Sequence, residues 1–182
     1  MTQYRHIKDG LPANSLLLFR LGDFYEMFLE DAQEGAGILE VALTKRGGMP
    51  MCGIPHHAAD NYIVKLLKAG RKVAICEQIE DAKPGKLVAR EVTQILSPGT
   101  HLDERMLTAE RNNYLSSVFK EGRVFALAVI DLTTGSFKTT ELANADALLT
   151  ELERLRPAEV VIPENVADLQ ALVQPVAPLL QE

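Results

Sequence analysis

The octapeptide "LGDFYEMF", Leu21–Phe28, sets two aromatic rings beside two carboxylates directly after a glycine, at the end of the apolar run Ser15–Leu21, "SLLLFRL". Asp23 followed three residues later by Glu26 has the spacing of a capping box, with Asp23 at the N-cap and Glu26 at N3 of a helix, where both charges favour the helix dipole. On this reading Phe24 stands at N1, and the apolar spacing of Phe28, Leu29, Ala32, Ala36 and Leu39 predicts a helix from Phe28 to Val41, closely packed at Gly35 and Gly37. The cap leaves Phe24 unexplained. A ring at a chain reversal gains little for folding, but a flat apolar group there can insert beside a base in a DNA minor groove while a polar group two residues on touches the base edge.

Outward from this stretch the chain reads as a mixed α/β protein. Thr2–Asp9 is a short predicted helix and Ser15–Leu21 a strand. Ala42–Ala58 reads as a short strand, a turn and an extended piece, and Asp60 or Asn61 caps a helix that stops at Gly70. Lys72–Gln78 is a buried strand, Pro84-Gly85 a turn, and Leu87–Leu96 a returning strand. His101–Asn113 lacks an apolar stripe and reads as an exposed connector. Beyond it come strands at Tyr114–Phe119, Val124–Leu132 and Ser136–Glu141, a helix from Asn144 to Leu155 and a strand at Glu159–Ile162. Val166–Glu182 reads as too short to close such a sheet, so the second domain is expected to be truncated.

Composition narrows the function classes. The longest apolar run, Val124–Ile130, is far below the ~20 residues of a spanning helix, so a cytoplasmic protein without membrane contact is expected. Two cysteines make no disulfide framework. The net charge of −6 is uneven: residues 1–105 hold 13 basic against 14 acidic side chains, and residues 106–182 hold 6 against 11. A polyanion is expected to contact the first half, where basic clusters lie. Cys52, His56, His57 and Cys76 form a conceivable zinc set, but no C-x-x-C or H-x-x-x-H spacing supports it, and buried thiols with surface histidines are expected. Asp131, on a strand before a glycine turn, is the alternative enzymatic candidate: a metal-dependent nuclease carboxylate, with Glu141 on the next strand. Strand-end turn chemistry is its plainer role.

Five ordered blocks, "FRLGDFYEMF", "LTKRGG", "MPMCGIPHHA", "VAICEQIED" and "SPGTHLDERML", followed by "DLTTGSF", make the chain resemble the N-terminal part of the MutS family of DNA mismatch repair proteins. The resemblance implies an α/β (α+β) fold. A mixed-sheet mismatch-recognition domain over 1–105 is followed by a linker at 106–113 and a partial ribonuclease-H-like connector domain over 114–182. It implies that Phe24 stacks on a mispaired or unpaired base from the minor groove and that Glu26 hydrogen-bonds that base. It nominates Lys45, Arg46, Met49, Pro50, Met51 and Arg90 for DNA contact. If the base edge is a purine N7 acceptor, Glu26 must carry a proton.

The partners implied are double-stranded DNA with mismatches or small loops, a second copy in a full-length homodimer, and downstream repair proteins, with a place at the nucleoid. The family's full-length members use ATP and Mg²⁺. This chain contains no G-x-x-x-x-G-K-[ST] motif, so no cofactor and no enzymatic activity are expected of it. An acidic second half is also compatible with a protein-docking module.

Overall fold

In the computed structural model, residues 2–79, 88–101, 112–177 and 180–181 are described. The chain divides into two compact units, Met1–Ser97 and Pro98–Glu182. The Pro84-Gly85 turn and most of the proposed 106–113 linker lie outside the described residues.

The first unit is a six-stranded mixed sheet between helices. In chain order it comprises α1 (Thr2–Asp9), β1 (Ser15–Leu21), β2 (Phe24–Phe28), α2 (Leu29–Leu39), β3 (Thr44–Arg46), β4 (Met49–Pro55), α3 (Ala59–Lys68), β5 (Lys72–Gln78) and β6 (Arg90–Leu96). The sheet order is β3-β4-β2-β1-β5-β6, with β1 and β5 parallel and every other pair antiparallel.

The opening octapeptide is therefore not a helix start. Gly22, at φ 58°, supplies the left-handed first residue of a two-residue hairpin loop, and Leu21 pairs with Phe24 across it. Asp23 sits in the turn and Glu26 in a strand. The helix begins only at Leu29, after Phe28 at the N-cap, which makes no side-chain cap bond. Strand geometry prevails because aromatic residues suit a pleated surface and Tyr25 and Met27 both find buried sites on one side of it. A second correction concerns α3. Its N-cap is Ala58, after a 3₁₀ turn at His56–Ala58, so Asp60 lies inside the first turn and is not the cap. At its far end Gly70, φ 76°, takes the expected position: its N–H reaches the Leu67 carbonyl at 2.9 Å while the Arg71 N–H reaches that of Leu66 at 3.1 Å.

Register assigns the two faces. Leu17, Phe19, Phe28, Ala74 and Cys76 lie on one side and pack with Tyr4 of α1. The alternate residues Leu16, Leu18, Met27, Cys52, Ile54, Val73 and Ile75 lie on the other, the side covered by α2 and α3. The close packing expected at Gly35 is present, a Cβ there coming within 2.7 Å of the Met27 thioether, whereas Gly37 faces open space with nothing within 4 Å.

One buried carboxylate ties this unit together. Asp31, in the first turn of α2, accepts hydrogen bonds from the Tyr4 hydroxyl at 2.7 Å and the Leu17 N–H at 3.0 Å, and pairs with Lys8 at 2.7 Å. The β1–β2 ladder has only three residue pairs, so Asp31 takes over the strand where β2 has left it. Tyr4 also accepts from the Phe28 N–H at 3.3 Å and meets Phe19 and Phe28 edge-on. Burial, then the Asp31 charge and hydrogen bond, push the Tyr4 phenol well above its ordinary value, so it remains a donor.

The second unit holds β7 (Tyr114–Glu121), β8 (Val124–Asp131), β9 (Ser136–Leu142), α4 (Ala145–Leu155), β10 (Glu159–Val161), α5 (Ala167–Val173) and β11 (Leu180–Gln181), in the sheet order β11-β10-β7-β8-β9. The meander β7–β9 is antiparallel, and β10 joins β7 in parallel. The segment after Val166 does extend the sheet: α5 brings Leu169 and Val173 into the core beside Leu148 and Leu152 of α4, and β11 adds a strand parallel to β10. Asn144 caps α4 as expected, accepting from the Ala147 N–H at 2.9 Å.

Removing the Asp31 carboxylate strands two buried donors at once. Asp31→Ala is expected to lower unfolding free energy by about 2–5 kcal/mol, read as a shift in urea midpoint at unchanged slope. A change below about 0.5 kcal/mol would show that the network does not hold the unit.

Candidate nucleic-acid interface

Phe24 and Glu26 lie two residues apart on β2, and a strand's period of two places both on one face. On a helix the same spacing would send them in divergent directions. Between them Tyr25 points through the sheet, where its hydroxyl donates to Glu77 and its ring lies 5.3 Å from that of His56 and 5.6 Å from the Arg20 guanidinium. Burial and then Glu77 push the Tyr25 phenol up to about 12. Met27 is fully buried beside it. Anchoring through the alternate residues thus leaves the Phe24 ring outward, 48% exposed.

Strand β4 leaves space beside this pair. Gly53 lies opposite Glu26 and Pro55 opposite Phe24. A Cβ on Gly53 would lie 3.6 Å from the Glu26 Cγ and 3.9 Å from a Phe24 ring carbon, so its absence keeps the strip between the two side chains open. The hairpin end is tied by the His56 N–H, which donates to the Asp23 carbonyl at 2.9 Å.

The remaining sequence-nominated residues divide. Arg46, Met49 and Met51 share the face of Phe24 and Glu26, whereas Lys45 and Pro50 alternate to the opposite face. The turn between β3 and β4 is Gly47-Gly48, with φ 56° and 83°, the two left-handed residues that a tight type I′ hairpin needs. Met51 is partly a core residue, and the Thr44 hydroxyl donates to its carbonyl at 3.1 Å. Arg90 is held structurally: its guanidinium lies 4.9 Å from the Phe19 ring and donates to the carbonyls of Arg20 at 2.7 Å and Val88 at 2.9 Å. Burial lowers its tendency to hold charge. Met49 and Arg46 line a cleft of about 390 Å³ with Tyr4, Phe19, Leu21 and Phe28.

One contact was not legible in the sequence. Arg46 Nη1 reaches Glu26 Oε2 at 2.7 Å, so the carboxylate beside the exposed ring is covered by a cation from a different hairpin. The alternation of "FYEMF" after the hairpin pair Gly22-Asp23 was the signal for the strand itself.

The other two candidates separate from this face. Cys52 and Cys76 are buried on opposite sides of the sheet while His56 and His57 are exposed, so the four do not converge; burial pushes each thiol up to about 11. Among the described residues there is no group of three or more His, Cys, Asp or Glu suited to a metal ion. Asp131 is fully buried, and its carboxylate accepts from the Thr133 N–H at 2.9 Å, the Thr133 hydroxyl at 2.6 Å and the Asn112 amide. Glu141 pairs with Ala126 and Asp131 with Ser136, which separates the two carboxylates by about 17 Å along the sheet. Turn chemistry is what the Asp131 surroundings carry.

Residues 1–105 match the family profile described as MutS domain I, and residues 113–181 that of MutS domain II. The chain is 47% identical over 173 residues to the DNA mismatch repair protein MutS of Syntrophobacter fumaroxidans, covering 91% of this chain and 19% of that protein. It is 50% identical over 172 residues to the DNA mismatch repair protein MutS of Desulfitobacterium hafniense, covering 91% of this chain and 20% of that protein. The chain thus spans about a fifth of the length of these curated relatives.

Burial raises the Asp131 pKa, but the hydrogen bonds from Thr133, Asn112 and Thr134 outweigh it and hold the value below the ordinary one. A depressed folded value contributes stability above the unfolded value, lost as pH falls through the folded one. The stability gap between the wild type and Asp131→Asn should therefore be full near pH 7, begin to narrow as pH falls through about 4, and be lost only below the depressed folded value, as read by urea unfolding across that range. A gap independent of pH would contradict this account of the turn.

Proposed function

The chain belongs to the MutS family, and from that membership we propose that its first unit reads mismatched or looped bases in double-stranded DNA, with Phe24 as a minor-groove wedge and Glu26 as the group that bonds the displaced base edge. The observation that carries this reading is the pairing of an exposed ring and a carboxylate on one face at a hairpin end, with a glycine opposite.

The chemistry is a difference between two duplexes. Inserting a ring unstacks a base step at a few kcal/mol and bends the site at a further ~1–6 kcal/mol. A mispair has already lost part of its pairing and stacking, so it opens at lower cost. Glu26 sharpens the distinction. A carboxylate near phosphates is unfavourable on intact duplex and is repaid only where a free base edge is offered. Arg46, exposed at the glycine turn of the same face, and Lys45, exposed on the edge strand, are the cations we assign to the phosphates.

The second unit is assigned no chemistry of its own. Docking of another repair protein is favoured by one observation: Phe119 and Phe137 are 54% and 64% exposed on the sheet face away from α4 and α5. A second copy of the chain and downstream repair proteins are the partners proposed. ATP and Mg²⁺ belong, in this reading, to parts of the relatives' length that the chain does not span.

Phe24→Ala removes the ring without touching the core, because the side chain is outward. In a competition assay between a G·T duplex and its matched counterpart, this variant should lose the preference for G·T while unfolding at the wild-type urea midpoint. An unchanged preference would overturn the wedge assignment.

A further inference from the structure

We propose that Arg46 is a specificity-determining partner of Glu26: it holds the carboxylate while the protein is free or on intact duplex, and transfers to a backbone phosphate when Glu26 takes an unpaired base edge. This inference rests on the reading of Phe24 and Glu26 given above.

Three observations carry it. First, by register Arg46 lies two strands away from Glu26 and four residues further along, so the 2.7 Å contact closes only because both side chains reach toward each other across the face. A single ion pair whose cation is open to solvent and carried on a long side chain gains little net stability, which makes the contact easy to exchange. Second, the two partners are unequally exposed. The Glu26 side chain is 13% exposed and that of Arg46 60%, so the guanidinium screens the carboxylate while remaining open to an anion from solvent. Third, Arg46 adjoins Gly47-Gly48, whose lack of side chains lets a phosphate backbone approach the guanidinium.

The consequence is a two-part check on the duplex. On matched DNA no base edge competes for Glu26, the pair persists, and the carboxylate repels the backbone less than a bare one would. On a mispair the base edge replaces Arg46 at Glu26, and Arg46 gains a phosphate in exchange. The arginine is thereby counted as a DNA contact only where the duplex is flawed. Where the base edge offers an N–H, Glu26 accepts it as a carboxylate and no covalent bond changes; where it offers a purine N7, Glu26 first takes a proton from solvent, and in either case the Arg46–Glu26 pair gives way to an Arg46–phosphate pair.

Counterion release makes this exchange measurable, because each phosphate neutralised adds about 0.9 to the slope of log Kobs against log salt. For the full chain, the slope on a G·T duplex should be steeper than on the matched duplex by about 0.9, a roughly three- to fourfold gain in salt sensitivity between 50 and 200 mM. Arg46→Ala should erase that gap. Glu26→Gln, which leaves Arg46 without its carboxylate, should steepen the matched-duplex slope to the mismatch value and raise matched affinity at low salt. Parallel wild-type slopes with the G·T preference intact, or a gap that persists in Arg46→Ala, would overturn the exchange while leaving the wedge standing. A wild type with no preference for G·T would overturn both readings together.

Discussion

The alternation of β2 between an anchored and an open side is the constraint on which the first unit's surface depends. Tyr25 and Met27 are rooted on the α2 and α3 side, one by a hydroxyl on Glu77 and the other by close contact with Gly35. With those two fixed, Phe24 and Glu26 have only the opposite face available, and a one-residue slip would bury the charge and expose the anchors. At the other end Asp31 holds β1 through the Leu17 N–H and reaches the end of β2 through Tyr4, whose hydroxyl accepts from the Phe28 N–H, so both strands of the hairpin are tied at their base. The proposed wedge role asks for such a base, because a ring that yields on contact could not tell a stiff duplex from a weak one.

Much of this architecture was legible in the sequence. The period-two strands of the second unit, the Asn144 cap and the Gly70 stop all follow from local pattern, because each rests on residues adjacent in the chain. Local sequence does not separate a helix start at Asp23 from a hairpin, because the i, i+3 pairing of two acidic residues suits a cap while the Gly22-Asp23 turn equally suits a hairpin; tertiary burial of Tyr25 and Met27 decides between them. Register sorted the nominated residues in a way composition could not. Lys45 and Arg46 are neighbours in sequence but lie on opposite faces, and Arg90, nominated for DNA contact, lies over Phe19. The Arg46–Glu26 pair joins residues 20 apart, from two hairpins, and no local signal encodes it.

The net charge of −6 is unevenly distributed, and the proposed contact with a polyanion falls on the less acidic part. The first 105 residues are nearly balanced, and the one carboxylate on the open face at β2 is matched by an arginine. In the proposed reading, binding is governed less by attraction than by which of these charges are free at the moment of contact. The acidic surplus falls in the second unit, for which no nucleic-acid role is proposed.

The central claim is that the Phe24 ring enters the duplex at the flaw itself. Placing a photoreactive benzoyl-phenylalanine at position 24 and irradiating the complex with a duplex carrying one G·T pair tests it most directly. The account predicts crosslinks confined to the mispaired nucleotides and their immediate neighbours, and few on matched duplex. Crosslinks spread evenly along both duplexes would contradict it.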